Sequence, residues 1–243
     1  MVIVTGATGF IGSAILWELN SRGVTDILAV DVVRPDNRAG ILTKRKYTKF
    51  CTHHDLWKVL DGAKAQGRKV DWIVHMGACS STTELNRDYL REINTEYTQR
   101  LFEWCTETGT RFIYASSGAI YGDGTQGFDD QAEPEIFQPL NPYGESKLNF
   151  DIWALQQAKT PPFWMGLRFF NVYGPNEYYK QDMSSVVFKA FRQINVNNSL
   201  KLFRSHNPEY QDGEQLRDFV YVKDITRWIA EIMYDNKGFS GIY

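Results

Sequence analysis

Tyr143 and Lys147 stand four residues apart in Tyr143-Gly144-Glu145-Ser146-Lys147. On a helix that spacing puts both side chains on one face. Asn141 and Pro142, just before them, supply an N-cap and a first helical residue, which sets Tyr143 in the first turn. A neighbouring ammonium and the positive end of the helix dipole both stabilise phenolate, so the phenol is expected to ionise below its ordinary range. Such a phenol exchanges protons with a hydroxyl while a hydride moves. Ser117 follows a strand in Tyr114-Ala115-Ser116-Ser117-Gly118-Ala119-Ile120-Tyr121-Gly122. Ligands sit at the carboxyl ends of parallel strands, so its hydroxyl is placed to bond the reacting oxygen. Ser116, closer to the strand, is the weaker candidate. Tyr-x-x-x-Lys on its own also describes a surface tyrosine beside a solvated lysine, so the elements around the pair decide its meaning.

Those elements begin with Gly6-Ala7-Thr8-Gly9-Phe10-Ile11-Gly12, between an apolar run and a helical pattern. Glycines there allow a tight turn and close approach of backbone to a pyrophosphate, and the helix behind them aims its first amides at that anion. Asp31 ends the second apolar run, where a carboxylate accepts from the adenosine ribose hydroxyls. Strand, loop, helix, strand and acid in that order are a strong signal for a dinucleotide. Asp31 favours NAD by repelling a 2′-phosphate, whereas Arg34 and Arg38 can bind that phosphate, so NADP and NAD both stay open. Lys147 can also bond the nicotinamide ribose.

Short apolar runs at 2–5, 27–31, 72–76, 112–116 and 166–170 alternate with helical patterns at 11–20, 56–65, 89–106 and 143–157. That alternation predicts an α/β, Rossmann-like doubly wound parallel sheet. The expected division is a Rossmann domain over 1–170 and a smaller C-terminal substrate lobe over 171–243, with a short return to the core near 218–235. Within the lobe, 186–194 reads as helix, 203–215 as polar and irregular, 219–222 as strand and 225–234 as helix. The final Gly-Ile-Tyr is apolar, and the lobe is expected to be incomplete at that end.

With 43% hydrophobic and 23% charged residues the chain reads as an ordinary globular protein. A formal net charge of -2 gives no electrostatic reason to expect nucleic acid or an anionic membrane. No apolar run reaches the ~18 residues of a membrane helix, and no signal peptide is visible, so a cytoplasmic location is expected. Cys51, Cys79 and Cys105 show neither metal-ligand nor disulfide spacing, and His53, His54, His75 and His206 are not spaced like ligands. No metal is expected, and His75, ending an apolar strand, reads as a satisfied core residue.

Taken together, the glycine loop, Ser117 and Tyr143-x-x-x-Lys147 resemble the extended short-chain dehydrogenase/reductase superfamily over nearly the whole chain. Finer blocks are similar to the ADP-L-glycero-D-manno-heptose 6-epimerases. These are His75-Met76-Gly77-Ala78-Cys79-Ser80-Ser81-Thr82-Thr83-Glu84, Pro139-Leu140-Asn141-Pro142-Tyr143-Gly144, Leu167-Arg168-Phe169-Phe170-Asn171-Val172-Tyr173-Gly174-Pro175 and Gly213-Glu214-Gln215-Leu216-Arg217-Asp218-Phe219-Val220-Tyr221-Val222. The second and third occur in looser form across sugar-nucleotide enzymes; the Cys79–Glu84 stretch of the first is the more specific.

The resemblance implies an enzyme that inverts C6 of an ADP-activated heptose for lipopolysaccharide core synthesis. A bound NADP takes a hydride, leaving a transient aldehyde, and returns it to the opposite face. Two acid/base groups are then needed: Tyr143 is one, and Lys180, in Glu177-Tyr178-Tyr179-Lys180, matches the second. Cofactor contacts are implied at Phe10, Ile11, Val32, Arg38, Met76, Gly77, Ala78, Cys79, Ser80, Asn94 and Val172, beside Gly6, Gly9, Gly12, Asp31 and Lys147. Substrate contacts are implied at Ser117, Asn171, Asp182, Lys189, Phe203, Ser205 and Arg217, the last able to pair the substrate diphosphate bidentately. A surface salt bridge from Arg217 to Asp218 or Glu214 is the alternative. Asp182 stands where relatives often have serine, and Lys189 where they often have histidine. The resemblance also implies a homo-oligomer, a ring of pentamer type. Rival readings are a UDP-hexose 4-epimerase and a non-catalytic NAD(P)-binding sensor. A 4,6-dehydratase fits less well, because Gly118-Ala119 follow Ser117 where such enzymes carry Asp-Glu.

Overall fold

The computed structural model describes residues 1–38, 40–206, 208–235 and 239–243. Strands β1 (Val2–Thr5), β2 (Ile27–Asp31) and β4 (Trp72–His75) are buried at every position. Runs buried on both faces are what a parallel sheet covered by helices requires. With β3 (Lys49–Thr52), β5 (Arg111–Ser117), β6 (Trp164–Phe169) and β9 (Gly241–Ile242) they form an all-parallel sheet, ordered β3-β2-β1-β4-β5-β6-β9. A second sheet pairs β7 (Asn171–Tyr173) with β8 (Phe219–Tyr221), also parallel.

The helices are α1 (Phe10–Ser21), α2 (Leu56–Ala65), α3 (Arg87–Leu90), α4 (Tyr97–Thr108), α5 (Pro142–Leu155), α6 (Val186–Asn197) and α7 (Val222–Asp235). On one face of the large sheet Leu56, Leu60, Leu101, Phe102 and Phe150, from α2, α4 and α5, pack on Ile3, Ile73 and Phe112. On the other, Ile15, Leu16 and Leu19 of α1 meet Ile225, Ile229 and Met233 of α7. Each fully buried side chain of this kind contributes ~1.5–3 kcal/mol. The strand order reverses between β1 and β4, which opens a crevice at their carboxyl ends.

Three features depart from the sequence reading. The expected helix at 89–106 begins at Arg87 and passes through a π-helical turn, Arg91–Glu96, between α3 and α4. β3 had no apolar signature, because only Cys51 of its four residues is buried. The return to the large sheet runs past α7 into β9, where Met165 and Gly166 pair with Gly241 and Ile242.

Candidate active site

A cleft of about 1060 Å³ lies over the crevice. It exceeds the ~300–1,000 Å³ of typical small-molecule pockets, leaving room for more than one small ligand. Gly6, with φ +64°, turns the chain out of β1, and a Cβ there would come within 2.8 Å of the Gly77 backbone. A Cβ on Gly12 would overlap the Gly6 carbonyl oxygen. Gly9 caps α1 without a side-chain hydrogen bond, so the first amides of the helix keep their capacity for an anion. The Phe10 backbone meets the Tyr179 phenol, a residue sequence reasoning missed.

Asp31 is buried at the end of β2, and its carboxylate accepts from the Thr8 amide at 2.9 Å and the Val33 amide at 3.2 Å. Arg38 also lines the cleft; it donates to the Thr8 carbonyl at 2.8 Å and lies 4.3 Å over the Tyr179 ring. Arg34 is exposed and outside the lining. His53 faces the cleft with a buried Nδ1 that has no hydrogen-bond partner. The closely packed glycine loop, the fixed carboxylate, the guanidinium and this orphan nitrogen suit the phosphates, ribose and base of a dinucleotide.

Val32, Met76, Gly77, Ala78, Cys79, Ser80 and Val172 line the same cleft. Asn94 lies behind it in the π-helical turn. Its amide accepts from the Cys79 N–H at 2.9 Å and donates to the Cys79 carbonyl and the Ser146 hydroxyl, both at 3.0 Å. That fixes the loop after β4 against α5; such turns are frequent at functional sites. His75 bonds Thr5 at 2.6 Å and Thr98 at 3.1 Å, and burial pushes it down to about 3, so it is a neutral core residue as its sequence position suggests.

The Asn141 side chain accepts from the Gly144 amide at 2.8 Å and Pro142 takes the first helical position, which brings Tyr143 and Lys147 to the cleft on one face of α5. Both are buried. Lys147 donates to the Ala115 carbonyl at 2.8 Å, and burial pushes its ammonium down to about 8. The expectation of a lowered phenol pKa is overturned: burial raises Tyr143, and a hydrogen bond to Ser117 opposes that only in part. Dehydrating a phenolate outweighs the helix dipole here, and the ammonium is directed at Ala115. Ser117, also buried, accepts from the Ala119 amide at 3.1 Å.

Lys180 lies in a 3₁₀ turn, Tyr178–Met183, with its Nζ 5.3 Å from the Phe10 ring centroid. Burial lowers its pKa while Glu177 raises it. Glu177 fixes this segment, accepting from the Gly174 amide at 3.1 Å, the Ser185 amide at 2.6 Å and the Ser185 hydroxyl at 2.8 Å. Asn171 and Arg217 line the cleft and are exposed. Arg217 donates to the Leu216 carbonyl at 2.6 Å. Asp182, Lys189, Phe203 and Ser205 fall outside the lining. Lys189 instead donates to the Asp182 carbonyl at 2.6 Å, and Ser205 is held through its amide by Asp212 at 2.7 Å.

A profile of the NAD-dependent epimerase/dehydratase family matches residues 2–241. The chain belongs to this family. Among its members, the ADP-L-glycero-D-manno-heptose-6-epimerase of Fusobacterium nucleatum is 46% identical over all of this chain and 74% of its own length. That of Nitratidesulfovibrio vulgaris is 47% identical over all of this chain and 75% of its own. The crystal structure of the Helicobacter pylori ADP-L-glycero-D-manno-heptose-6-epimerase superposes with a TM-score of 0.80 at 28% identity, covering 100% of this chain and 75% of that one. MoeE5 in complex with UDP-glucuronic acid and NAD gives 0.75 at 28% identity, over 99% of this chain and 74% of its own. Membership of the NAD-dependent epimerase/dehydratase family supports a nicotinamide cofactor.

Proposed function

We propose that this enzyme inverts C6 of ADP-D-glycero-D-manno-heptose, giving ADP-L-glycero-D-manno-heptose for lipopolysaccharide core synthesis. The observation that carries this reading is that two titratable side chains from separate elements, Tyr143 of α5 and Lys180 of the 178–183 turn, line one cleft with the glycine loop. Two acid/base groups on opposite sides make inversion at one carbon possible, one serving each face, whereas a simple dehydrogenase uses one. The name shared by the full-length relatives supports the same substrate.

In this mechanism the glycine loop and the first turn of α1 hold the pyrophosphate, and Asp31 accepts from the adenosine ribose. When bound, the nicotinamide ring supplies the acceptor and donor of the hydride. Tyr143 holds the proton of the reacting hydroxyl, and Ser117 bonds the same oxygen. Lys147, kept close to its titration range, stabilises the phenolate as the proton moves. Lys180, its ammonium destabilised by burial, exchanges the proton on the other face. Arg217 pairs the sugar-nucleotide diphosphate, and Arg38, lining the cleft near Asp31, supports NADP as the cofactor. The same reading divides the chain into a cofactor unit over 1–170 and a substrate lobe over 171–243, and assigns a homo-oligomeric enzyme to the cytoplasm.

Incubation with ADP-D-glycero-D-manno-heptose, followed by NMR of the C6 proton, is expected to show inversion. No turnover there together with turnover of UDP-galactose overturns the substrate. Mass spectrometry of the co-purified dinucleotide tests NADP against NAD.

A further inference from the structure

We infer that Asp151 is a positioning residue for this reaction: it ties the end of β5 to α5, against the Tyr143 phenol, and places a negative charge one turn from the Lys147 ammonium. The inference rests on the acid/base reading of Tyr143 and Lys147 given above.

Asp151 lies one turn after Lys147 on α5, and the two are 0% and 5% exposed. One carboxylate oxygen accepts from the Tyr114 hydroxyl at 2.8 Å. The other accepts from the Ser116 hydroxyl at 2.8 Å and, more distantly, from Arg168 Nε at 3.4 Å. Lys147 bonds the carbonyl of Ala115, the residue between those two. Three consecutive residues of β5 are therefore tied to α5, two through side chains on one face of the strand and one through its backbone. Side chains alternate along a strand, so holding Ser116 on Asp151 turns Ser117 the other way, where it meets the Tyr143 phenol.

Arg168 has other support: it donates to the Tyr121 hydroxyl at 3.0 Å and lies over the Tyr121 and Phe137 rings. Asp151 pairs with Arg168, and from one turn away its charge also favours the ammonium form of Lys147. A buried ion pair often gives little net stability over apolar packing. A role in register and charge accounts for an acid at this position. The titratable groups around Lys147 are Tyr143 and Asp151 on its own helix, His75 on β4, Cys79 in the loop after β4 and, beyond Asp151, Tyr114 on β5 and Arg168 on β6.

The test uses the full chain carrying its cofactor, with Asp151→Asn/Arg168→Gln, which removes the buried ion pair as a unit, and with Ser116→Ala. NMR of 13C-labelled lysine follows Lys147 without requiring turnover. In the double variant its titration is expected to move down by roughly one pH unit, with the alkaline limb of kcat moving alongside and KM unchanged. In Ser116→Ala the titration stays put and kcat falls roughly tenfold, because the serine opposite is no longer held. An unmoved Lys147 titration in a folded double variant overturns the inference. If that variant does not fold, unaltered kcat in Ser116→Ala overturns it. Movement of the titration in a protein whose wild type inverts no sugar nucleotide leaves the positioning intact and rejects the function instead.

Discussion

Tyr143 and Lys180 face one cleft from walls of different construction. Around Tyr143, the groups are buried and cross-tied: Asn94 links the loop after β4 to α5, and Asp151 links α5 to β5. Around Lys180, the backbone is closed by a single carboxylate, Glu177, and α6 beyond it has no buried residue. Groups held on packed elements are positioned more precisely than groups on loops, so under the proposed mechanism the Tyr143 side is the preorganised one and Lys180 acts from the looser wall. On the looser wall side chains can change without unsettling the sheet.

Four measurements sharpen this contrast. Tyr143→Phe removes the acid/base group and keeps the packing; kcat is expected to fall by ~10²–10⁴ while the dinucleotide still co-purifies. Lys180→Met should cut inversion by roughly 10²-fold with the melting temperature unchanged; full activity in this variant sinks its role as second base. The pH profile comes next. Lys147 loses its proton through about 8, so kcat is expected to decline above that pH, roughly tenfold per unit. Its folded pKa lies below the ordinary 10.5, so the unfolded chain binds the proton more tightly; this penalty on stability is full below about 8 and relieved as pH rises toward 10.5. Denaturant titrations across that window test the sign. The smallest effects separate the walls by stability: Glu177→Gln should cost about 1–3 kcal/mol and raise KM, whereas Phe191→Ser on α6, 65% exposed, should stay within about 0.5 kcal/mol in denaturant midpoint.

The parts of the fold legible in the sequence are those with a period or a fixed turn. Buried runs gave β1, β2, β4, β5 and β6, and Asn141-Pro142 marked the start of α5. β3 was not legible, because a strand with one buried position has no apolar signature, and β7 was not separated from β6, which ends one residue before it. At the site, the glycine loop, Tyr143, Lys147 and Ser117 stood out because their chemistry depends on local spacing. Asp151 did carry a signal, lying four residues beyond Lys147 on the same helix. Its partners Ser116 and Arg168 come from separate strands and meet it only through the sheet. Tyr179 and His53 had no signal, since their placement depends on how a loop closes over β1 and β2. The raised phenol of Tyr143 was also out of reach: local spacing reports charges and dipoles, whereas dehydration depends on the whole surrounding core.

The π-helical turn at Arg91–Glu96 carries one residue more than an α-helix would need for the same path. That extra residue sets a phase. Downstream, Leu101, Phe102 and Cys105 of α4 point into the core, while Asn94 within the turn points at Cys79 and Ser146. Deleting one residue there would leave an uninterrupted helix, with everything before the deletion rotated by ~100° about the axis relative to α4. Core and cleft could then no longer both be satisfied. The segment is an angular offset held in one chain, and its length in residues is fixed more strictly than the identity of most of them.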